Sequence, residues 1–314
     1  MRGPLRRCLL LLLSILFLFT AAGCSRSGEK VLDEVFCSFT DDTGKKVVLA
    51  QRPETVAVLF SSFAEVWTLA GGEIAVTVGE SVERGFVEDS VILVDEGAGK
   101  SINMELLVQA QPDFIICSAD VEAQVKAAEL LQEAGVPAAC FRVEAFVDYL
   151  RMLRICTQIT GDSKAYETHG VAVEKQINAL LRESKDEAAD ILFVRAGSSA
   201  SSTKAKTGEQ HFAAAMLEEL GAYNIADAAP VLLDGLSMEE ILRADPDFIF
   251  VSTMGKESAA KAHMEEVLSQ SAWQSLSAVK NGKVIYLPKD LFQFKPNARW
   301  GDAYAYLIEV LYGA

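Results

Sequence analysis

The chain has 314 residues, half of them apolar, and carries a formal charge of −15 from 44 acidic and 29 basic residues. That balance argues against nucleic-acid binding, which needs basic patches to displace phosphate counterions, and no Lys/Arg cluster of that kind follows Arg7. The length allows two domains of ordinary size, each with its own core.

Arg2, Arg6 and Arg7, the apolar run Cys8 to Phe19 and the small residues Thr20-Ala-Ala-Gly23 have the three parts of an export leader. The apolar run is shorter than the roughly 20 residues that cross a bilayer. Small residues directly before Cys24 resemble a bacterial lipobox, so residues 1–23 are expected to be removed and Cys24 to become the lipidated, palmitate-type mature end. Residues 24–36 then read as a tether. Loss of Arg2, Arg6 and Arg7 takes the formal charge to −18.

Phe39-Thr-Asp-Asp-Thr-Gly44 reads as a turn between two short strands. Residues 37–160 then alternate strand and helix, the pattern of a parallel sheet. Strands are expected at Val56–Leu59, Ala75–Gly79, Val91–Val94, Phe114–Cys117 and Ala138–Phe141. Helices are expected at Phe63–Ala70, ended by Gly71-Gly72, at Glu122–Ala134, closed by Gly135, and at Phe146–Ile159, interrupted by Gly161-Asp162.

One segment occurs twice. Asn103-Met-Glu-Leu-Leu-Val-Gln-Ala-Gln-Pro-Asp-Phe-Ile115 and Ser237-Met-Glu-Glu-Ile-Leu-Arg-Ala-Asp-Pro-Asp-Phe-Ile249 share seven of thirteen residues. Each copy opens on a helix-capping residue, runs through a short helix and breaks at Pro112 or Pro246 before an apolar strand. The chain therefore reads as α/β, with two similar Rossmann-like lobes. Glu105 and Glu239 stand at the same helical position, where a carboxylate suits the helix dipole and points away from the apolar stripe. One exposed acid per lobe suggests a paired docking surface.

Within residues 161–187, the stretch from Ser163 to about Lys185 has few breakers, and Val171, Val173, Ile177, Leu180 and Leu181 repeat at helical spacing, as in a long helix that either spans the lobes or packs on one of them. A helix of that length spans roughly 30 Å, enough to join the two lobes as a stiff hinge. In residues 188–314, strands are expected at Ile191–Arg195, Phe248–Ser252 and Lys283–Leu287. Helices are expected at Glu209–Leu220, Ala259–Ser269, Trp273–Ser277 and from about Asn297. The Ser-rich stretch Ala196 to Gly208 follows a strand end, the place where open α/β sheets bind ligands; a plain flexible connection is the alternative.

Cys37, Cys117, Cys140 and Cys156 have no C-x-x-C spacing, and Cys117 and Cys140 fall in apolar strands, where a thiol behaves as a small hydrophobe. No disulfide pairing follows from these positions. His169, His211 and His263 are scattered and read as surface or helix histidines rather than ligands. The sequence has no Gly-x-Ser-x-Gly, His-Glu-x-x-His or phosphate loop, so no catalytic residue, resident cofactor or metal site is assigned.

Together with both repeats, Thr40-Asp-Asp-Thr-Gly44, Arg52-Pro-Glu-Thr-Val-Ala-Val58, Ala64-Glu-Val-Trp-Thr-Leu-Ala-Gly-Gly72, Leu220-Gly-Ala-Tyr-Asn224 and Leu276-Ser-Ala-Val-Lys-Asn-Gly-Lys283 run almost the whole mature length. In that order, behind a lipobox-type leader, the chain resembles the substrate-binding lipoproteins of ABC importers for ferric siderophores, haem and cobalamin. The resemblance implies two lobes joined by a rigid helix, with a ligand cleft between them. It implies an exported monomer, lipid-anchored on the extracytoplasmic face, that hands a small metal chelate to a permease and its ATPase and does not act as an enzyme. By motif position Glu105 and Glu239 would pair with permease arginines.

The cleft positions it implies are Ser61, Ser62, Phe63, Ser81, Lys100, Ser118, Lys204, Lys206, Phe292, Phe294, Lys295 and Arg299. Lys295 falls where a cobalamin-binding relative carries a ligand-contacting arginine, whereas Ser81, Gly99 and Ser118 replace that group's aromatic residues and weaken a corrinoid assignment. Arg299 would either touch ligand or anchor the last helix by its stem. The competing functions are an exported chelatase-like enzyme on the same framework and a direct metal-ion receptor, for which three dispersed histidines are a poor ligand set.

Overall fold

The protein is described by a computed structural model covering residues 35–88, 90–183 and 189–313. The leader, Cys24, most of the tether and the end of the expected bridging helix lie outside the described residues.

Strands β1 (Cys37–Thr40) and β2 (Lys46–Leu49) form an antiparallel hairpin with Phe39 opposite Val47. Its turn is the expected Asp-rich one: the Asp41 carboxylate accepts from the N–H groups of Thr43 and Lys45, both at 3.0 Å. The first lobe continues β3 (Val56–Val58), α1 (Ser61–Leu69), β4 (Val76–Thr77), α2 (Gly79–Glu83), β5 (Ile92–Leu93), α3 (Met104–Gln109), β6 (Phe114–Ser118), α4 (Glu122–Glu133), β7 (Ala138–Phe141) and α5 (Phe146–Thr160). Its sheet is parallel, in the order β5-β4-β3-β6-β7.

At Gly161 the chain turns with φ of 80° and the Asp162 carboxylate caps the next helix by accepting from Ala165 N–H at 2.9 Å. Helix α6 (Ser163–Tyr166), a π-helical turn over Glu167–Val171 and α7 (Ala172–Glu183) follow as one run. Two close approaches seat it. A Cβ on Gly170 would lie 2.8 Å from a Leu150 methyl of α5, and one on Gly301 of the last helix would lie 2.3 Å from the Gln176 side chain. Of its apolar residues, Val173 and Ile177, one turn apart, are buried.

The second lobe runs β8 (Asp190–Ala196), β9 (Lys204–Ala205), α8 (Phe212–Glu219), β10 (Tyr223–Asn224), α9 (Met238–Ala244), β11 (Phe248–Thr253), α10 (Glu257–Leu268), α11 (Ser271–Gln274), α12 (Ser277–Lys280), β12 (Val284–Tyr286), α13 (Lys289–Phe292) and α14 (Trp300–Tyr312). Strands β10-β8-β11-β12 are parallel, and β9 lies antiparallel on β8. The Ser-rich stretch is therefore not an open connection. It makes a short 3-10 turn and folds back as β9, with Ser202 Oγ and Thr203 Oγ1 donating to the Ser199 carbonyl.

Side chains alternate across both sheets with period two. Val56, Val58, Phe114, Ile116, Phe141, Ile191, Phe193, Phe248 and Phe250 enter one hydrophobic cluster, shared with Tyr149, Phe212 and Trp300, that contains residues of both lobes. Ala57, Ile115 and Cys117 belong to a second cluster in the first lobe, and Leu192, Ile249 and Val251 to a third in the second lobe. The expectation of two separate cores thus fits only the far faces of the sheets. Between them one core is continuous, and Phe36–Ala314 form one unit. Cys117 and Cys140 face each other in the β6/β7 register as buried free thiols.

Candidate functional site: a cleft at the strand ends

In the first sheet successive strands depart from β3 in both directions, and in the second they depart from β8 in the same way. Open α/β sheets bind ligands outside the carboxyl ends of strands at such switch points. A cavity of about 360 Å³ lies there, lined by residues after β3 (Phe60, Phe63), at and after the end of β6 (Ser118, Asp120), after β7 (Glu144), at the end of β8 (Arg195), and by His211, Phe212 and Lys295.

Local bonds fix the first-lobe wall. Ser118 N–H donates to Gln124 Oε1 at 2.8 Å, and the Arg142 guanidinium holds Asp120 at 2.6 Å. The N–H groups of Glu144 and Ala145 both donate to the Asp148 carboxylate at 3.0 Å. Residue 144 is thus held by its backbone while its side chain is left to the cavity.

The opposite wall is cationic. Lys295, with an 18% exposed side chain, pairs with Glu144 at 3.1 Å, and its ammonium lies 4.9 Å from the Phe212 ring centre. Burial pushes its pKa down and the Glu144 carboxylate opposes the shift. Lys206 is pushed down by burial and then by the neighbouring charges of Arg195 and Lys204. Among the described residues Arg195, Lys204 and Lys206 have no carboxylate within ion-pair distance. His211 caps α8, its Nδ1 accepting from Ala213 N–H at 3.2 Å, with its ring stacked on Phe212 at 5.0 Å. Burial, followed by the charges of Lys295, Arg195 and Lys206, lowers its pKa to about 3, so it is a neutral polar group at ordinary pH.

Of the cleft residues expected from sequence, Phe63, Ser118 and Lys295 line this cavity. Ser61 and Ser62 do not, because they form the buried first turn of α1, where Arg84 Nη1 donates to both hydroxyls at 3.1 Å. Ser81 is buried as the partner of Thr77 Oγ1 at 2.8 Å. Lys100 is exposed beside the loop that wraps the Asp95 carboxylate. Phe292 is buried in the shared core, and the Phe294 ring covers Arg84 at 4.1 Å. Lys204 and Lys206 sit on and beside β9, outside the cavity lining, where Lys206 feels the charges of Arg195 and Lys204. Arg299 is an anchor: its guanidinium bonds Asp290 at 2.6 Å and Asp302 of α14 at 3.2 Å.

Arg195, His211 and Glu144 were not among the cleft residues expected from sequence, whereas Asp120 closes the expected Ser118-Ala-Asp120 loop. Arg195 had a visible signal, a charge closing the apolar run Ile191–Val194 at a parallel strand's carboxyl end. His211 had none, since its place depends on how the chain re-enters α8.

Away from the cavity, Glu105 and Glu239 are exposed in the first turns of α3 and α9. The Asn103 side chain caps α3 by accepting from Leu106 N–H at 3.1 Å, whereas Ser237 makes no side-chain cap. Leu107 and Ile241 are buried at matching positions, and Val108 and Leu242 are exposed at matching positions.

Outside the cavity lining, Arg84 Nη2 pairs with Glu65 at 3.3 Å, its guanidinium lying over the rings of Phe86 and Phe294. Burial raises the Glu65 pKa, against the lowering pull of Asn297 and Arg84. Asn297 is buried with φ of 51°, and its Oδ1 has no partner.

Residues 56–291 match the profile of a family described as periplasmic binding protein. A protein of Bacillus subtilis (strain 168) named as an ABC transporter substrate-binding lipoprotein, YhfQ, is 23% identical over 310 residues, covering 93% of each chain. The fold is that of the periplasmic catecholate-siderophore binding protein VctP from Vibrio cholerae (TM-score 0.69, 17% identity, 86% of this chain and 98% of that one). It is also that of Staphylococcus aureus SirA complexed with staphyloferrin B (TM-score 0.65, 18% identity, 88% and 97%).

Proposed function

Because the chain belongs to the periplasmic binding protein family, we propose that it is the substrate-binding component of an ABC importer and that its cleft takes an anionic metal chelate. The observation that carries this reading is the cationic wall. In a chain of net charge −15, Arg195 and Lys295 line the cavity with Lys206 and Lys204 beside Arg195 outside the lining, and Arg195, Lys204 and Lys206 lack carboxylate partners among the described residues. Phe60, Phe63 and Phe212 supply ring surface for the apolar part of a chelate. The reading agrees with the catecholate siderophore in the name of VctP and with the staphyloferrin B bound to SirA.

In this reading Glu105 and Glu239 face permease arginines, and lipidated Cys24 anchors the protein outside the cell. Cys24→Ser protein that stays on the membrane would reject the anchor. The ligand test is titration with ferric citrate, a ferric tricatecholate and haem at low and high salt. An anionic ferric chelate should bind with an affinity that salt weakens, and Arg195→Gln should weaken it about tenfold, the scale of one charge-assisted contact. Salt-insensitive binding, unchanged by Arg195→Gln, would overturn the assignment.

A further inference from the structure

Lys295 is approached by three carboxylates of the first lobe, Glu144, Asp120 and Asp148. Two of them are already engaged. Asp120 is bonded to the Arg142 guanidinium at 2.6 Å, and Asp148 takes the N–H groups of Glu144 and Ala145 at the start of α5. Only Glu144 reaches the ammonium directly, at 3.1 Å, and it does so across the cavity from the opposite lobe. Its backbone is fixed by Asp148, whereas its side chain is half exposed and can swing outward without disturbing that cap.

We propose that Glu144 is a resident counter-anion of the cleft, which neutralises Lys295 when the site is empty and must be displaced by an anionic ligand. The inference rests on the anionic-chelate reading and deepens it. A largely buried ammonium is costly without a counter-ion, so the empty cleft is stabilised by the pair. A chelate that offers its own carboxylate or catecholate oxygen restores the contact and releases Glu144. A neutral chelate cannot, because it would leave Lys295 unpaired or Glu144 in its path. Glu144 thus competes with ligand for Lys295, and only a ligand with an anionic oxygen placed to take over that contact overcomes the competition.

Ferric citrate and an uncharged ferric trihydroxamate serve as the two probes, with wild type, Glu144→Gln, Lys295→Met and the double variant. Glu144→Gln should tighten ferric citrate binding about tenfold and leave the neutral probe unchanged, so that the preference for the anionic probe widens by the same factor. In the Lys295→Met background the gain should vanish, as it must if the two residues act as a pair. A gain that persists without Lys295 would show only a general field effect, and an unchanged or weaker affinity would overturn displacement.

A measurement without ligand separates this inference from the chelate reading. Amine acylation of the empty protein, followed by mass spectrometry, should label Lys295 several-fold faster in Glu144→Gln than in wild type, with exposed Lys100 as the internal reference. Unchanged labelling would show that Glu144 does not hold Lys295. If neither probe bound any variant, the chelate reading would fail, and labelling alone would decide the pair.

Discussion

The side-chain amide of Asn297 donates to the carbonyl oxygen of Ser62 at 2.8 Å, tying the chain after β12 to the first turn of α1. The same Nδ2 donates to Glu65 Oε2 at 2.8 Å, and Glu65 in turn pairs with Arg84 under the Phe294 ring. The two lobes are therefore joined outside the cavity lining by a buried polar network as well as by the α6–α7 helical run. Both features favour a small change of interlobe angle on binding, with recognition by a wall that is already formed.

Arg84→Met should destabilise the protein by about 3–5 kcal/mol, because it leaves Glu65 as an uncompensated buried charge. Adding Glu65→Gln should recover much of that loss, since the amide still accepts from Asn297. Urea unfolding of wild type, both single variants and the double variant measures the coupling. Additive losses would show that the pair does not act as a unit.

His211 resists protonation when folded, its pKa lying near 3 against an ordinary 6.5. Below pH 6.5 the unfolded chain therefore binds a proton that the folded chain does not, and stability falls as pH falls towards 3. His211→Asn keeps a capping acceptor and removes this slope. Between pH 7 and pH 5 wild type should lose about 1–2 kcal/mol relative to the variant. Parallel profiles, or an imidazolium signal by NMR at pH 5, would contradict the assignment.

Charge reversal at Glu105 together with Glu239 should abolish most transport while leaving ligand affinity within about twofold, because both acids are exposed and lie outside the cavity lining. Uptake in cells and titration of the purified protein are the two readouts. Loss of ligand binding with intact permease docking would reverse the proposed roles.

The fold was legible where one residue type has one physical use. The duplicated segments predicted matching helices, and the match extends further: Gln111 and Asp245 end them with φ of 49° and 42°. Asp113 then accepts from Glu54 and Thr55 N–H at 2.8 and 2.9 Å, and Asp247 accepts from Asp190 N–H at 3.1 Å, so each Pro-Asp-Phe pins the neighbouring strand's start. The cavity was only partly legible. Ser61 and Ser62 stand next to Phe63 in sequence, yet Arg84, 22 residues from Ser62, covers them. The Glu144–Lys295 contact joins residues from different lobes, and no local pattern encodes such a meeting.

Trp300 packs its ring between Phe146 of the first lobe, at 6.3 Å, and Phe212 of the second, at 5.4 Å. Phe212 is also part of the cavity wall. The other two tryptophans sit within single lobes, Trp67 on α1 and Trp273 on α11. The chain thus contains its own optical probe: in a Trp67→Phe, Trp273→Phe background, indole emission would report the junction between lobes and the filling of the cleft in one signal, without any attached dye.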